Sequence, residues 1–311
     1  MSGWKGHPGI RTKSPVSNGR RAEMAIALSA GTLARGRLRL GSLPKSPPML
    51  MNWAAVSLIL VVTIVAVAVP VISPHDPLVP AGMPLQAPGN DGFLLGTDAI
   101  GRDILSRVLF GVRASWFAAL VVVAVGLLIG GLVGLIAGAT GGWIDSLLMR
   151  ITDGFLSLPA PVLAIAVVAA LGPGFIHTLI AVSIVWWPFY ARLVRGEVAR
   201  LAARPHVEAA RLAGTGPIRL ACRHLLPGAV PNSLVAASLD IGNLILTLAA
   251  LSFLGLGQAA PAAELGADTA RNLTYFLQQW WVPVMPGLAV LVLALAANVA
   301  GDGLRNLMKT S

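Results

Sequence analysis

The sequence predicts an all-α integral membrane protein with six transmembrane helices. Of its 311 residues, 56% are hydrophobic and 12% are charged, whereas a typical soluble domain has about 25% charged residues. Several apolar runs approach the ~20 residues that a helix needs to cross ~30 Å of hydrocarbon. No run alternates with the two-residue period of a barrel strand, so helices are the expected spanning elements. The six runs lie at 51–72, 114–138, 158–173, 175–194, 230–256 and 283–302.

The distribution of Lys and Arg predicts the orientation, because basic residues are retained on the cytoplasmic side. With the N-terminus inside, only four of the 23 Lys and Arg residues fall in outer segments: Arg102, Arg107, Arg113 and Arg271. Both termini are therefore expected in the cytoplasm. The net charge of +10 then reflects topology, and no nucleic-acid partner is expected, because the chain lacks a soluble basic domain with interleaved aromatic residues.

The first segment, residues 1–49, combines nine basic residues with many Gly, Ser and Pro residues. Its apolar content is too low to form a core, so it predicts a disordered, basic cytoplasmic tail. The first transmembrane helix is expected within residues 50–75. The single cysteine, Cys222, excludes a disulfide framework and a cysteine metal cluster within the chain.

Residues 76–112 are expected to form an extracytoplasmic loop that contains an interfacial amphipathic helix in "LLGTDAIGRDILSRVLFG". Thr97 or Asp98 would cap this helix, and Asp103 with Arg107 would form an i,i+4 pair on its polar face. The helix would lead into the second span, although a plain surface anchor fits the periodicity equally well. Its apolar stripe would consist of Ile100, Ile104, Leu105, Val108 and Leu109.

Motifs for covalent chemistry are absent from the sequence. "GTDAIGRD" at 96–103 opens like a phosphate-binding loop, but Arg102 and Asp103 stand where Lys and then Ser or Thr are needed. There is no G-x-S-x-G and no H-E-x-x-H, and the five histidines are scattered. An enzyme is therefore not expected, and no catalytic residue, metal site or cofactor is assigned to this chain.

The basic loop at about 203–228 contains "HVEAARLAGTGPIRLACRHLLPG". The pattern predicts a short helix from His206 to Leu212, a left-handed stop at Gly214 and Gly216, and a second helix that begins at Pro217 and ends at Pro227. Such an elbow could dock into another protein, and a solvated connector fits the spacing equally well. The second helix would place Ile218, Cys222 and Leu225 on one side.

In the fifth run, Asp240, Asn243 and Thr247 share one helical face. An intramembrane carboxylate is costly and is expected to face the bundle interior or an aqueous cavity. This face could therefore line a solute pathway or a subunit seam. A helix–helix hydrogen bond of ~1 kcal/mol without solute contact is the equally weighted alternative.

The loop resembles the EAA loop of ABC-transporter permease subunits, in the order Glu208-Ala209-Ala210, Gly214, Ile218 and Leu226-Pro227. The segments "LGTDAIGRDILSRVLFGVRASW", "GGWIDSLLMRITDGFLSLP", "WWPFYARLVRGEV", "LSFLGLG" and "PGLAVLVLALAANVAGDGLRN" resemble, in the same order, the C-type subunit of the dipeptide/oligopeptide/nickel permease family. The resemblance covers about residues 50–308. It implies a type I-like ABC importer permease of the bacterial inner membrane, with a core permease domain at 113–304 and a cytoplasmic C-terminus at 305–311.

The resemblance also implies the partners. They are a homologous B-type permease subunit, two cytoplasmic ATPase subunits that bind ATP and Mg²⁺, and an extracytoplasmic solute-binding protein, all around a chain embedded in the lipid bilayer. The cargo would be short peptides, nickel or a related small solute. The chain departs from the family pattern at Leu248, at Glu264-Leu265-Gly266 and at 301–306, which concerns the substrate more than the coupling role. An ion-coupled secondary transporter is the rival in another class.

Overall fold

The computed structural model describes residues 49–310, so the predicted tail lies, apart from Met49, outside the described residues. The described chain is almost entirely helical, and its strand pairing is limited to an isolated bridge between Thr97 and Asp103. The helices are α1 (Met49–Ile72), α2 (Ile104–Thr140), α3 (Gly142–Leu156), α4 (Ala160–Leu171), α5 (Phe175–Ala202), α6 (Pro205–Leu212), α7 (Pro217–Leu220), α8 (Leu226–Phe253), α9 (Leu265–Arg271) and α10 (Trp281–Thr310). A π-helical turn, Ala221–Leu225, joins α7 to α8, and a 3-10 turn, Leu273–Tyr275, follows α9.

Five helical segments of the described chain are long and apolar enough to span a membrane: Asn52–Ile72, Ile104–Thr140, Phe175–Ala202, Pro217–Phe253 and Trp281–Met308. A sixth span is formed if α3 and α4, which meet at an angle of 84°, are taken together. The all-helical, multi-pass fold predicted from the sequence is therefore confirmed.

The predicted third span at 158–173 is wrong as a single helix. Its helical part, α4, has 12 residues, which cover about 18 Å at 1.5 Å per residue. The preceding break contains Pro159, which has an extended backbone and stands between α3 and α4. A proline also disfavours the α conformation at the residue before it, which favours the observed break at Leu158.

The predicted interfacial helix at 97–109 is also corrected. Helix α2 begins at Ile104, where the Asp103 carboxylate accepts hydrogen bonds from the backbone N–H groups of Leu105 and Ser106 at 3.2 and 3.1 Å. From there it continues without a break for 37 residues, so its first turns are continuous with the second span and do not form a separate helix. Thr97 and Asp98 instead stabilise the preceding turns, where Thr97 donates to the Met83 carbonyl at 2.6 Å.

Helices α2 and α5 pack closely against each other along a row of glycines at every fourth position of α2. A Cβ atom on Gly130 would lie 2.2 Å from the Trp187 carbonyl oxygen, and one on Gly134 would lie 2.4 Å from that of Ala191. Small residues at this spacing allow close helix contact in membranes. The row consists of Gly126, Gly130, Gly134 and Gly138, and all four contact α5.

The core lies where α2, α5 and α8 meet, around the fully buried Trp116, Tyr190 and Leu244. The loops gather at two opposite ends. At the Arg107 end, residues 73–103, 172–174 and 254–280 meet. Arg107 donates to the carbonyls of both Pro77 and Ala262, and the Gly174 N–H donates to the Leu256 carbonyl at 3.3 Å. At the Gly214 end lie the α2–α3 junction and residues 203–225.

Candidate functional site

The candidate site is the elbow at residues 205–225, which connects two spanning helices. Helix α5 ends at Ala202, and Pro205 occupies the first turn of α6, where its missing N–H costs no hydrogen bond. Val207 of α6 is fully buried against a second core cluster with Val198, Leu220 and Leu225. The inner side of the elbow is therefore fixed to α5 and α8 by apolar packing.

Helix α6 ends in a Schellman motif centred on Gly214, one of the two glycines predicted to form a left-handed stop. The prediction is wrong for Gly216, which has an extended backbone with φ −61°. The Gly214 N–H donates to the Arg211 carbonyl at 2.9 Å and the Thr215 N–H donates to the Ala210 carbonyl at 3.1 Å. This pattern needs a left-handed residue, and Gly214 has φ +80°. A Cβ there would meet nothing within 4 Å, so the requirement for glycine comes from the backbone conformation alone.

The outward side of the elbow is exposed and mixes charge with apolar surface. Glu208 and Ala209 are exposed and Ala210 is half-buried, while Leu212 and Ile218 are 85% and 79% exposed. No described side chain forms an ion pair with Glu208. Beside the elbow, a cavity of about 640 Å³ extends between it and the end of α2. Exposed large apolar side chains ringed by charge are typical of protein docking surfaces.

The predicted end of the second helix at Pro227 is wrong, because the helix continues through it into α8. The Leu226 N–H reaches back five residues to the Ala221 carbonyl, and this wider turn places Pro227 at the start of α8. The π turn also changes the helical phase. Leu220 and Leu225, five residues apart, are buried, whereas Ile218 and Cys222 are exposed, so the predicted grouping of Ile218, Cys222 and Leu225 is wrong.

The second candidate region is the seam between α5 and α8, which contains a buried carboxylate. The Asp240 carboxylate is buried and accepts hydrogen bonds from Trp186 Nε1 and from the Tyr190 hydroxyl, the latter at 3.0 Å. Asn243 is exposed, and Thr247 donates to the Asn243 carbonyl within the same helix at 2.9 Å. The Asn243 side chain also hydrogen-bonds to the Asp240 carboxylate, so the three predicted residues lie together along one face of α8, although only Asp240 is buried. Asp240 makes the helix–helix hydrogen bonds of the alternative interpretation.

Sequence reasoning missed Trp186 and Tyr190 as partners of Asp240. They stand four residues apart, and therefore on one face of α5, in "WWPFY". The signal that could have found them is this pair of aromatic hydrogen-bond donors in one span together with one intramembrane carboxylate in the next.

The Arg107 end contains a buried ion-pair network that joins α2 to α9. The Arg107 guanidinium is 3% exposed. It donates to both oxygens of Asp268, at 2.6 and 3.1 Å, and to the carbonyls of Pro77 and Ala262 at 2.8 and 3.1 Å. The predicted Asp103–Arg107 pair is thus wrong, because Asp103 caps α2 and Arg107 turns to a residue 161 positions away. Arg102 pairs with Asp98 instead, at 2.6 Å.

At this end, desolvation is the largest influence on the pKa of the Asp268 carboxyl. Burial raises the pKa of the Asp268 carboxyl, while the guanidiniums of Arg107 and Arg271 act in the opposite direction. Nearby, the buried Glu264 accepts hydrogen bonds from the Ser252 hydroxyl and from the Gln258 N–H, the latter at 2.7 Å. These contacts connect α9 to α2 through Asp268 and connect Glu264, the residue before α9, to Ser252 of α8. Within residues 52–308 no three His, Cys, Asp or Glu side chains are arranged to bind a metal ion.

Residues 130–309, which include the elbow and the α5–α8 seam, match the family model of the binding-protein-dependent transport system inner membrane component. The chain belongs to this family. The permease resembles the probable D,D-dipeptide transport system permease protein DdpC of Escherichia coli (strain K12), with 40% identity over 264 residues, 85% of this chain and 88% of that protein. It also resembles the nickel transport system permease protein NikC of the same strain, with 42% identity over 68% of this chain and 76% of that protein.

The fold is shared with a solved structure of the inward-facing MetNI methionine ABC transporter. The match has a TM-score of 0.53 at 22% identity and covers 64% of the permease and 94% of that chain. At this identity the likeness concerns the fold alone. The family match and the apolar helices make the permease a multi-pass membrane subunit with a transport role, and the fold match shows that its helices are arranged as in that ABC transporter.

Proposed function

We propose that the permease forms half of the translocation pathway of an ATP-driven importer for short peptides. Its partners would be a homologous B-type permease subunit, two cytoplasmic ATPase subunits that bind ATP and Mg²⁺, and an extracytoplasmic solute-binding protein. The Gly214 end and both termini would face the cytoplasm. The observation that carries this proposal is the elbow, whose inner side is packed on the spans while Glu208, Ala209, Leu212 and Ile218 remain available to a partner.

Coupling in this proposal passes from the elbow into two helices at once. Val207 and Leu225 are fully buried in the cluster that contacts α5 and α8, and deeper in the membrane Asp240 ties the same two helices together. A displacement of the elbow by closing ATPase subunits would therefore move α5 and α8 together. Such movement requires two states that differ in their contacts at the elbow.

The solute pathway in this proposal runs along the surface that α8 leaves exposed. Asn243 is exposed and Thr247 is half-buried on that helix, and they would face either the solute or the second permease subunit. The buried Asp240 would act as a link between helices. Trp186 and Tyr190, which donate hydrogen bonds to Asp240, are both neutral side chains. They give no support to an ion-coupled transporter, which would need paired intramembrane charges.

Short peptides are the favoured cargo because the dipeptide relative matches 85% of the chain. Nickel is the second candidate, on the observation that the nickel relative is 42% identical. Cells that lack and then regain the permease should differ in ATP-dependent uptake of a radiolabelled dipeptide, with ⁶³Ni²⁺ uptake unchanged. Restoration of ⁶³Ni²⁺ uptake alone would select nickel, and uptake that survives ATP depletion but not loss of the ion gradient would contradict the proposal.

A further inference from the structure

A wide groove at the Arg107 end has a cavity volume of about 730 Å³. It lies between the first turns of α2, the start of α5 and the segments at 76–78 and 258–263. Aromatic and aliphatic side chains form most of its surface, including Phe110, Phe117, Phe175 and Leu179. The groove belongs neither to the elbow nor to the α5–α8 seam.

A single cation, Arg113, lines this groove. Arg113 is half-buried, and no described side chain or carbonyl binds its guanidinium. The other three arginines at this end are all engaged, since Arg102 pairs with Asp98 while Arg107 and Arg271 pair with Asp268. A guanidinium without a partner beside apolar surface is suited to a ligand that joins an anionic group to an apolar body.

The position of Arg113 along α2 sets its depth relative to a membrane. The apolar run 114–138 begins at the next residue, so Arg113 lies where hydrocarbon gives way to headgroups. Phe117 and Val121 follow at i+4 and i+8 and line the same groove, about 6 and 12 Å further along the helix at 1.5 Å per residue. The cation is thus at headgroup depth, and the apolar lining continues towards the membrane centre.

The groove also contains one anion, Asp76. Its carboxylate accepts a hydrogen bond from the Leu78 N–H at 2.8 Å, and the residue is exposed. Asp76 and Arg113 are not within ion-pair distance, so each keeps its charge available at the rim. One cation and one anion above an apolar channel complement a zwitterion whose tail is hydrocarbon.

We propose that this groove binds a phospholipid with an ethanolamine headgroup from the leaflet at the Arg107 end. The phosphate would bind Arg113, the ammonium would bind Asp76, and one acyl chain would lie against Phe117, Val121 and Leu179. A guanidinium binds a phosphate through charge-assisted hydrogen bonds, which are stronger than neutral ones. The proposal requires the helices to span a membrane but does not depend on the transported solute or on the ATPase partners.

Native mass spectrometry tests this proposal on the full chain, tagged in its own cells and purified in mild detergent with the subunits that accompany it. The wild-type protein should retain added phosphatidylethanolamine, and R113Q should retain it about tenfold less, as expected for the loss of one charge-assisted contact. R150Q is the matched control, because Arg150 is exposed and lies in α3, outside the groove. D76N should reduce the preference for phosphatidylethanolamine over phosphatidylcholine, whose trimethylated nitrogen donates no hydrogen bond.

Two further variants separate lipid binding from misfolding. R113K retains the charge and should restore most of the lipid retention, whereas L179W fills the groove and should reduce retention with Arg113 intact. Equal retention by wild-type protein and R113Q would overturn the proposal. So would efficient crosslinking of L179C to an accompanying subunit, because a protein segment would then occupy the groove.

Discussion

Tyr190 of α5 and Asp240 of α8 are joined by a hydrogen bond of 3.0 Å inside the bundle, and Trp186 donates to the same carboxylate oxygen. These two helices also flank the Gly214 elbow in sequence. The buried carboxylate therefore links, within the membrane, the two spans that the elbow links at the surface.

Replacing Asp240 with alanine should destabilise the bundle by about 1–3 kcal/mol, because two buried donors lose their acceptor. Asp240→Asn keeps one acceptor oxygen and should cost less. The measurement is thermal unfolding of the purified protein in detergent. Thr247→Ala is the control, since Thr247 bonds only within α8. Equal stability of the Asp240→Ala and Thr247→Ala variants would show that the link contributes nothing.

Replacing Arg107 should cost somewhat less than the ~3–5 kcal/mol of a buried charge left wholly unpaired, because Asp268 then keeps only the partly exposed Arg271, at 3.2 Å. We expect Arg107→Ala to be recovered from membranes at a much lower level than wild type and to be cleaved by protease at the Arg107 end. Arg102→Ala removes a guanidinium that is 13% exposed and should be milder. If Arg107→Ala matched Arg102→Ala in both yield and protease resistance, the buried network would not be structurally important.

The glycine row of α2 offers a test with adjacent residues. A side chain at Gly130 would meet the Trp187 carbonyl at 2.2 Å, whereas at Gly131 a Cβ would meet nothing within 4 Å. Gly130→Leu should therefore separate α2 from α5 and abolish stable expression, while Gly131→Leu should accumulate normally. Fluorescence-detected size-exclusion chromatography of both variants measures this difference. A monodisperse Gly130→Leu protein would contradict the close packing of α2 on α5.

The distribution of basic residues predicts that the Gly214 end is cytoplasmic. In intact cells a membrane-impermeant thiol reagent should label a cysteine introduced at Pro88 and leave Cys222 unlabelled, although Cys222 is exposed on the protein surface. Permeabilised cells should show labelling at both sites. Labelling of Cys222, with Pro88→Cys protected, would invert the proposed topology.

Features that depend on local sequence were predicted well. Five spans follow from hydropathy alone, because hydrocarbon requires about 20 apolar residues per helix. The stop at Gly214 follows from the residue type that a left-handed helix end demands. The break near Pro159 was visible, but its consequence, a bend of 84° that divides the span into two helices, depends on how both pieces pack.

Features that depend on distant contacts were missed or misassigned. Asp103 and Arg107 have the i,i+4 spacing of a helical ion pair. In the structure Asp103 instead caps α2, and Arg107 binds Asp268, which is 161 positions away. Pro227 was predicted to end a helix, but the π turn at Ala221–Leu225 places it in the first turn of α8, where a proline is tolerated. In each case a tertiary contact or a backbone irregularity outweighs the local preference, and sequence spacing carries no record of it.

The central claim is that the elbow docks ATPase subunits, and a matched pair of glycine variants tests it most directly. Gly214 has φ +80°, which costs a residue with a Cβ roughly 1 kcal/mol and a β-branched residue more. Gly216 has φ −61° and ψ 154° before Pro217, an extended conformation that valine adopts readily. A Cβ at either position meets nothing within 4 Å, so the two variants differ chiefly in backbone strain.

The measurement is the amount of ATPase subunit that co-purifies with each tagged permease variant from membranes containing equal amounts of permease. Gly214→Val should reach the membrane at the wild-type level but retain little ATPase, while Gly216→Val should retain about as much as wild type. Wild-type ATPase retention by the Gly214→Val protein, together with wild-type uptake, would contradict the claim and leave residues 205–225 as a connector between two spans.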